Sequence, residues 1–275
     1  MKKYYFFLYV SILLSFSTIA QKKEWETYFE KSGYVSTPNY DQTIEYFKKF
    51  ENKSPFAKMI SFGDTPQGRE LYCMIVSKDK AFTPEEAKKL DKPVILIMNG
   101  IHAGEIEGKD ASMILLREIL ITKEKENLID NCLLMVIPVF NVDGHERISP
   151  YNRINQNGPT EMGWRTTAQN LNLNRDFAKA DAPEMKSFLK LFSKWLPDFW
   201  FDVHTTNGAD YQYTITYAIE TDKNTSTVTS EWINNSFLPY VLKATEESGY
   251  LIAPYVDFKD GDPKKGLIDW VTPPR

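Results

Sequence analysis

Apolar residues recur along this chain at two different periods, and the change of period marks out its elements. In residues 38–51 ("PNYDQTIEYFKKFE"), Ile44, Phe47 and Phe50 fall every third position, the stripe of an amphipathic helix, and Asp41 stands where it could cap it. Residues 59–62 and 70–76 read as two strands around a turn, with Gly63-Asp64 and Gln67-Gly68 supplying the turn chemistry. Pro84 to Lys89 reads as a short polar helix or loop. Val94 to Met98 and Leu133 to Phe140 are apolar throughout, as strands buried on both faces are. Between them Ala111, Ile114, Leu115 and Ile119 repeat at three and four, which predicts a helix over 109–121. Strand, helix, strand within so short a stretch is a βαβ unit, with a parallel strand pair and a right-handed crossover. A further helix is expected over 182–195, with Pro183 in its first turn, then a buried strand from Phe199 to Val203. A fourth strand is expected over 211–217 and a long helix over about 229–247. The pattern predicts an α/β fold: a mixed, mostly parallel central sheet with helices on both faces.

Composition changes little in that picture. The 275 residues are 42% hydrophobic and 25% charged, values of an ordinary globular protein, and no repeat or linker divides them. The formal charge of −4 comes from 33 basic and 37 acidic residues, with no basic patch, which argues against nucleic acid as a partner. The N-terminus does add something. Lys2-Lys3, the apolar run Tyr4 to Leu14 and the small residues of "SFSTIA" form an export signal over 1–20, with cleavage expected after Ala20. The competing reading is an uncleaved membrane anchor, for which the apolar core is short. Cleavage takes two lysines, so the mature charge becomes 31 − 37 = −6. The expectation is a secreted or periplasmic domain over 21–275 with no stable membrane span, the signal being of bacterial type. Two cysteines, Cys73 and Cys132, lie in apolar runs, and either a disulfide or two thiols fits them.

The candidate chemistry gathers just past the apolar strands. His102 and Glu105 follow the first, Asn141 to Gly144 the second and His204 the third. Open α/β sheets place ligands at that rim. His102 and Glu105 are three apart at a loop-to-helix junction, so both side chains can project to one side. Two imidazoles and a carboxylate are good zinc ligands and leave a coordination position open for water. The plain alternative is that each histidine is only hydrogen-bonded structure, because H-x-x-E is a weak pattern by itself. Joint placement after separate strands is what favours the metal. Glu107, five residues from His102, should point elsewhere; His145 is read as a non-ligand. Asp202 shares a strand face with His204 and either orients its ring or faces water.

With these motifs in order, the chain resembles the zinc carboxypeptidases of the carboxypeptidase A-like metallopeptidase family, from about Tyr40 onward. "GDTPQGREL" is similar to the family's entry hairpin and "HAGE" (His102 to Glu105) to its first two zinc ligands. "NVDG" (Asn141 to Gly144) is similar to its Asn-Pro-Asp-Gly turn, "LNRDF" to its Asn-Arg pair and "FDVHT" to the strand bearing the third ligand, His204. The resemblance implies one zinc ion per chain on His102, Glu105 and His204, and hydrolysis of the C-terminal peptide bond of a peptide by a zinc-activated water. Asn174 and Arg175 would hold the substrate's free C-terminal carboxylate, which a guanidinium grips with two hydrogen bonds. Arg165, in "GWRTT", is placed to stabilise the oxyanion, with Arg147 and Arg153 as rivals.

Several positions depart from the family pattern. Gly104 stands where the family often has Arg, which removes one substrate contact. Asn172 stands where it often has the Asp that orients the first zinc histidine. "GLIDW" (Gly266 to Trp270) resembles the family's Gly-x-x-Asp-Trp element, with Tyr255 as a candidate for the capping Tyr that precedes it and Ile268 hinting at an apolar pocket. The family's general-base Glu lies on a strand beyond that element, so the domain is expected to be incomplete at its C-terminal end. Two other readings remain: a zinc deacylase or amidohydrolase of the same superfold, and a non-catalytic exported peptide-binding module.

Overall fold

The computed structural model describes residues 23–206, 208, 211–220 and 225–269. The expected export signal and Trp270 lie outside the described residues. The chain divides into two compact units, 1–208 and 209–275.

In the first unit, α1 (Tyr40–Lys53) leads into β1 (Ala57–Asp64) and β2 (Glu70–Val76). Then follow β3 (Val94–Asn99), α2 (Glu107–Leu120), β4 (Leu133–Ile137), α3 (Pro183–Trp195) and β5 (Phe199–Val203). The five strands form one sheet in the order β1-β2-β4-β3-β5. β3 pairs in parallel with β4 and with β5, while β2 is antiparallel to both its neighbours. Every strand but β2 therefore runs the same way, the mixed and mostly parallel sheet expected. β4 stops at Ile137 rather than Phe140 because Pro138 has no N–H to give a ladder.

Alternation along the central strands splits the core in two. Met74, Val76, Leu134 and Val136 face α1 and α2, where Phe47, Phe50, Met113, Leu116 and Ile119 cover them. Ile75, Leu96, Met98, Met135 and Ile137 face α3, whose Met185, Phe188, Leu191 and Trp195 close the other side. α1 buries the expected stripe, but its cap is Asn39, in a reciprocal box with Gln42, rather than Asp41. α2 begins two residues early, and of the expected stripe only Ile119 is fully buried. Ala111 is exposed and Ile114 and Leu115 are half-buried, while Lys109, Asp110, Ser112 and Arg117 are buried.

These polar residues are inside because each has a partner, as burial of a polar group requires. Arg117 forks onto Glu30 at 2.6 and 2.9 Å and also donates to the Trp25 carbonyl. The Thr37 hydroxyl donates to Asp110 at 2.7 Å. Lys109 donates to the Pro38 carbonyl and lies 3.0 Å from His145 Nε2. His145 Nδ1 is 2.8 Å from Glu146, which also accepts from the Tyr40 N–H at 2.8 Å. The segment leading to α1 is thus stapled to α2 and to the turn after β4. His145 plays a structural part, in keeping with its reading as a non-ligand. Cys73 and Cys132 are both free thiols.

The second unit is built of shorter elements. β6 (Ile215–Tyr217) pairs in parallel with β7 (Ile252–Pro254), and β8 (Val256–Phe258) pairs antiparallel with β9 (Leu267–Asp269). The expected fourth strand of the main sheet is therefore a three-residue strand of a separate ribbon. Tyr211 lies outside it, donating its hydroxyl to the Val256 carbonyl within the same unit. The expected long helix is present as one uninterrupted run over 227–247, made of α4 (Thr227–Trp232), a π turn (Ile233–Phe237) and α5 (Leu238–Glu247). Pro239 lacks the N–H that a continuous α-helix would use there.

Burial, followed by the neighbouring Lys109 charge, lowers the His145 pKa to about 4. The unfolded chain takes up that proton near pH 6.5 and the native chain does not, so stability is lost as pH falls from about 6.5 toward 4. Urea unfolding of the metal-free chain should show this loss, and His145→Gln should flatten it by up to about 1.4 kcal/mol per pH unit. An unchanged slope in the variant would refute the assignment.

Candidate metal centre

β3, β4 and β5 run parallel and end at one rim, where the register fixes which ends are neighbours. Met98 pairs with Asp202 and Asn99 with Val203. His204, immediately after β5, therefore emerges beside the loop after β3 that carries His102. A turn in that loop, closed by the Glu105 N–H on the His102 carbonyl at 2.9 Å, brings Glu105 back to the same place. The two imidazole centroids are 5.0 Å apart. His102, Glu105 and His204 each offer one ligand atom, and the three atoms lie within 4.8 Å of one another.

Each ring has one nitrogen engaged away from this cluster. His102 Nε2 lies 3.0 Å from the Asn174 amide, while its Nδ1 is buried without a hydrogen-bond partner. A buried ring nitrogen left bare is costly in a protein interior and fits a metal ion. His204 Nε2 lies 3.0 Å from Asp202, and its Nδ1 faces Glu105 Oε2 at 3.0 Å. A histidine whose far nitrogen rests on a carboxylate is the arrangement that orients a metal-binding imidazole. Glu105 Oε2 also accepts from the Thr205 N–H at 2.9 Å, and Oε1 accepts from Arg153 at 2.8 Å. The donor set of two imidazoles and a carboxylate suits zinc.

The electrostatics sort these groups. Burial pushes His102 down to about 3, helped by Arg165, against the pull of Glu105. Burial also works against a charge on His204, but its hydrogen bonds to Asp202 and Glu105 outweigh it and raise the ring to about 9. For Glu105, burial is outweighed by the His204 hydrogen bond and the positive charges around it, so its pKa is lowered. The site is built around a carboxylate held ionised.

The other expected site residues are placed unevenly. Arg165 approaches Glu105 to 4.0 Å. Its backbone is held by the turn after β4: Asn141 Nδ2 donates to the Arg165 carbonyl at 3.0 Å, and the Trp164 N–H donates to the Gly144 carbonyl. Asp143 of that turn is fully buried and accepts from the Thr65 hydroxyl, the Gln67 N–H and Arg69, all in the β1–β2 hairpin. The "GDTPQGREL" and "NVDG" motifs are thus one hydrogen-bonded structure. Asn174 lies on His102, and Asn172, expected there, instead accepts from the Asn174 N–H at 3.1 Å. Arg175 is exposed and donates to the Asn174 carbonyl at 2.6 Å. Arg147 packs over Trp164 and donates to Thr167 and Asn170. Glu107 is exposed at the start of α2. Arg153, weighed only as a rival oxyanion group, is buried against Glu105. Gln156 and Thr205 carried no signal in the sequence. In the second unit Tyr255 lies near Tyr211, with ring centroids 5.9 Å apart, and Ile268 pairs with Asp257.

A family model described as zinc carboxypeptidase matches residues 43–269. Carboxypeptidase Z of Gallus gallus is 30% identical over 149 residues, which is 50% of this chain and 21% of that protein. Among solved structures, a metallo-carboxypeptidase from Burkholderia cenocepacia is similar with a TM-score of 0.58 at 16% identity, covering 81% of this chain and 54% of that one. Carboxypeptidase A from Helicoverpa armigera gives 0.56 at 16% identity, covering 79% and 57%. At such identities the two structures speak for the fold. The chain spans about a fifth of the curated relative's length and little more than half of either solved chain.

The geometry of the rim depends on how closely α2 seats on it. A Cβ at Gly108, in the first turn of α2, would lie 2.4 Å from Asn99 Oδ1 and 2.6 Å from Val203 Cγ1. Gly108→Ala should therefore overpack the junction of β3, β5 and α2 and cost about 1–3 kcal/mol in urea unfolding. Stability equal to the parent would show that the helix can shift freely there.

Proposed function

This chain belongs to the zinc carboxypeptidase family, and from that premise we propose that the protein is an exported zinc-dependent carboxypeptidase acting on peptides with a free C-terminal carboxylate. The observation that carries the reading is the bare, buried Nδ1 of His102 beside Glu105 and His204. His102, Glu105 and His204 hold one zinc ion in this reading. When bound, the ion would supply an acidified water and a Lewis acid for the scissile carbonyl. Asp202 and Asn174 keep the two imidazoles in orientation. Arg165 is the candidate for the oxyanion in this reading: it lies 4.0 Å from Glu105 and is only half-buried, whereas Arg153 is buried. Arg175, exposed next to Asn174, is free to turn its fork to a terminal carboxylate by giving up one backbone contact. The amide of Asn174 is on His102, so we assign it to holding that ring as well as to the substrate clamp. The resemblance puts the carboxylate that takes the water's proton on a strand following the family's Gly-x-x-Asp-Trp element. Export rests on the N-terminal segment; among the described residues no helix is long and apolar enough to cross a membrane.

Metal analysis of the purified chain should find close to one zinc per molecule. His102→Ala and His204→Ala should each empty the site, and stoichiometric zinc in both would sink the ligand assignment. The protein should cleave free-carboxylate peptides in preference to C-terminally amidated ones. Arg175→Ala should erase that preference, with kcat/KM on free-carboxylate peptides falling about ten- to a hundredfold. Equal rates on both peptide forms in the parent would argue against the exopeptidase role of Arg175.

A further inference from the structure

The three candidate ligands come from two separate pieces of chain, and the sheet stops holding them together before it reaches them. The β3–β5 ladder ends at Asn99 and Val203. Beyond it, His102 and Glu105 sit in one loop and His204 to Thr206 in another. Besides the contact of His204 Nδ1 with Glu105, a ring of four hydrogen bonds ties the two loops. Arg153 Nη2 donates to Glu105 Oε1 at 2.8 Å, and Arg153 Nε donates to Gln156 Oε1 at 2.9 Å. Gln156 Nε2 donates to Thr205 Oγ1 at 3.0 Å, and the Thr205 N–H returns to Glu105 Oε2 at 2.9 Å. Gln156 donates to the Thr206 carbonyl as well.

We propose that Arg153 and Gln156 are positioning residues of the metal centre, a bracket that fixes Glu105 against the segment carrying His204. This rests on the reading that His102, Glu105 and His204 hold zinc. By occupying Oε1, Arg153 leaves Oε2 as the oxygen turned to His204 Nδ1. Its side chain is only 5% exposed and its charge offsets that of the buried carboxylate. Gly104 makes room for it: a Cβ there would lie 2.8 Å from Arg153 Cγ and 2.8 Å from the Gly163 carbonyl oxygen. The glycine preceding Glu105 is thus the seat of an arginine delivered from another loop. Gln156 then carries the constraint from Arg153 to the backbone on either side of the His204–Thr206 link. A site assembled before the ion arrives loses less entropy on binding it.

The test measures zinc itself, by competition with a chromophoric chelator, in the chain and in its Arg153→Lys and Gln156→Ala variants. Cobalt(II) in place of zinc reports ligand geometry through its visible spectrum. The lysine keeps the charge and loses the fork; the alanine cuts the link to Thr205 and leaves Arg153 in place. Both variants should fold, by circular dichroism, and bind zinc about 10–100-fold more weakly, with an altered cobalt spectrum. Zinc affinity within about twofold of the parent and an unchanged cobalt spectrum in both would overturn the proposal. His102→Ala separates the two levels. If it abolishes zinc binding while the bracket variants bind normally, the bracket alone fails; if it binds zinc like the parent, the ligand assignment fails first.

Discussion

Glu105 is the group on which the candidate site turns. It is buried, it is ionised, and its two oxygens face different loops: Oε1 takes Arg153, while Oε2 takes the Thr205 N–H and faces His204. A buried carboxylate is stable only where its charge and lone pairs are met. Meeting them here draws in three loops that share no secondary structure. The parallel sheet supplies the common rim; the carboxylate decides how its loops are arranged over it.

The same economy appears on the other side of the sheet. Lys109, Asp110 and Arg117 lie on the buried face of α2, and each is matched by a backbone carbonyl, a hydroxyl or a carboxylate from the segment before β1. α2 is thus held from two directions. Apolar residues press it on the sheet, and polar ones tie it to the N-terminal segment. Its first turn follows directly from the loop of His102 and Glu105, so the fit of the helix and the fit of the site are one matter.

How far the chain could be read without coordinates follows from these interactions. Val94–Met98 and Phe199–Val203 were legible because a strand covered on both faces leaves an unbroken apolar run. His102, Glu105 and His204 were legible because they stand just past such runs. The buried stripe of α2 was legible only in part: apolar spacing found Ile119 but also pointed to Ala111, while partners far off in sequence allowed Lys109 and Arg117 inside. Asn39 displaced Asp41 as a cap for a local reason, the reciprocal bond with Gln42. The bracketing role of Arg153 and Gln156 was invisible because it exists only once Glu105 and Thr205, 100 residues apart in the chain, are neighbours. The single trace of it was the glycine at 104.

Asp143 sets a limit of a different sort. One buried carboxylate accepts from three residues of the β1–β2 hairpin, and its turn holds the backbone of Arg165. A surface hairpin is ordinarily the part of a protein most open to insertion and drift. Here its tip is latched to the backbone that aims an arginine. A change in the hairpin's length, or loss of Thr65 or Arg69, would leave a buried carboxylate short of its donors and loosen the turn beneath it.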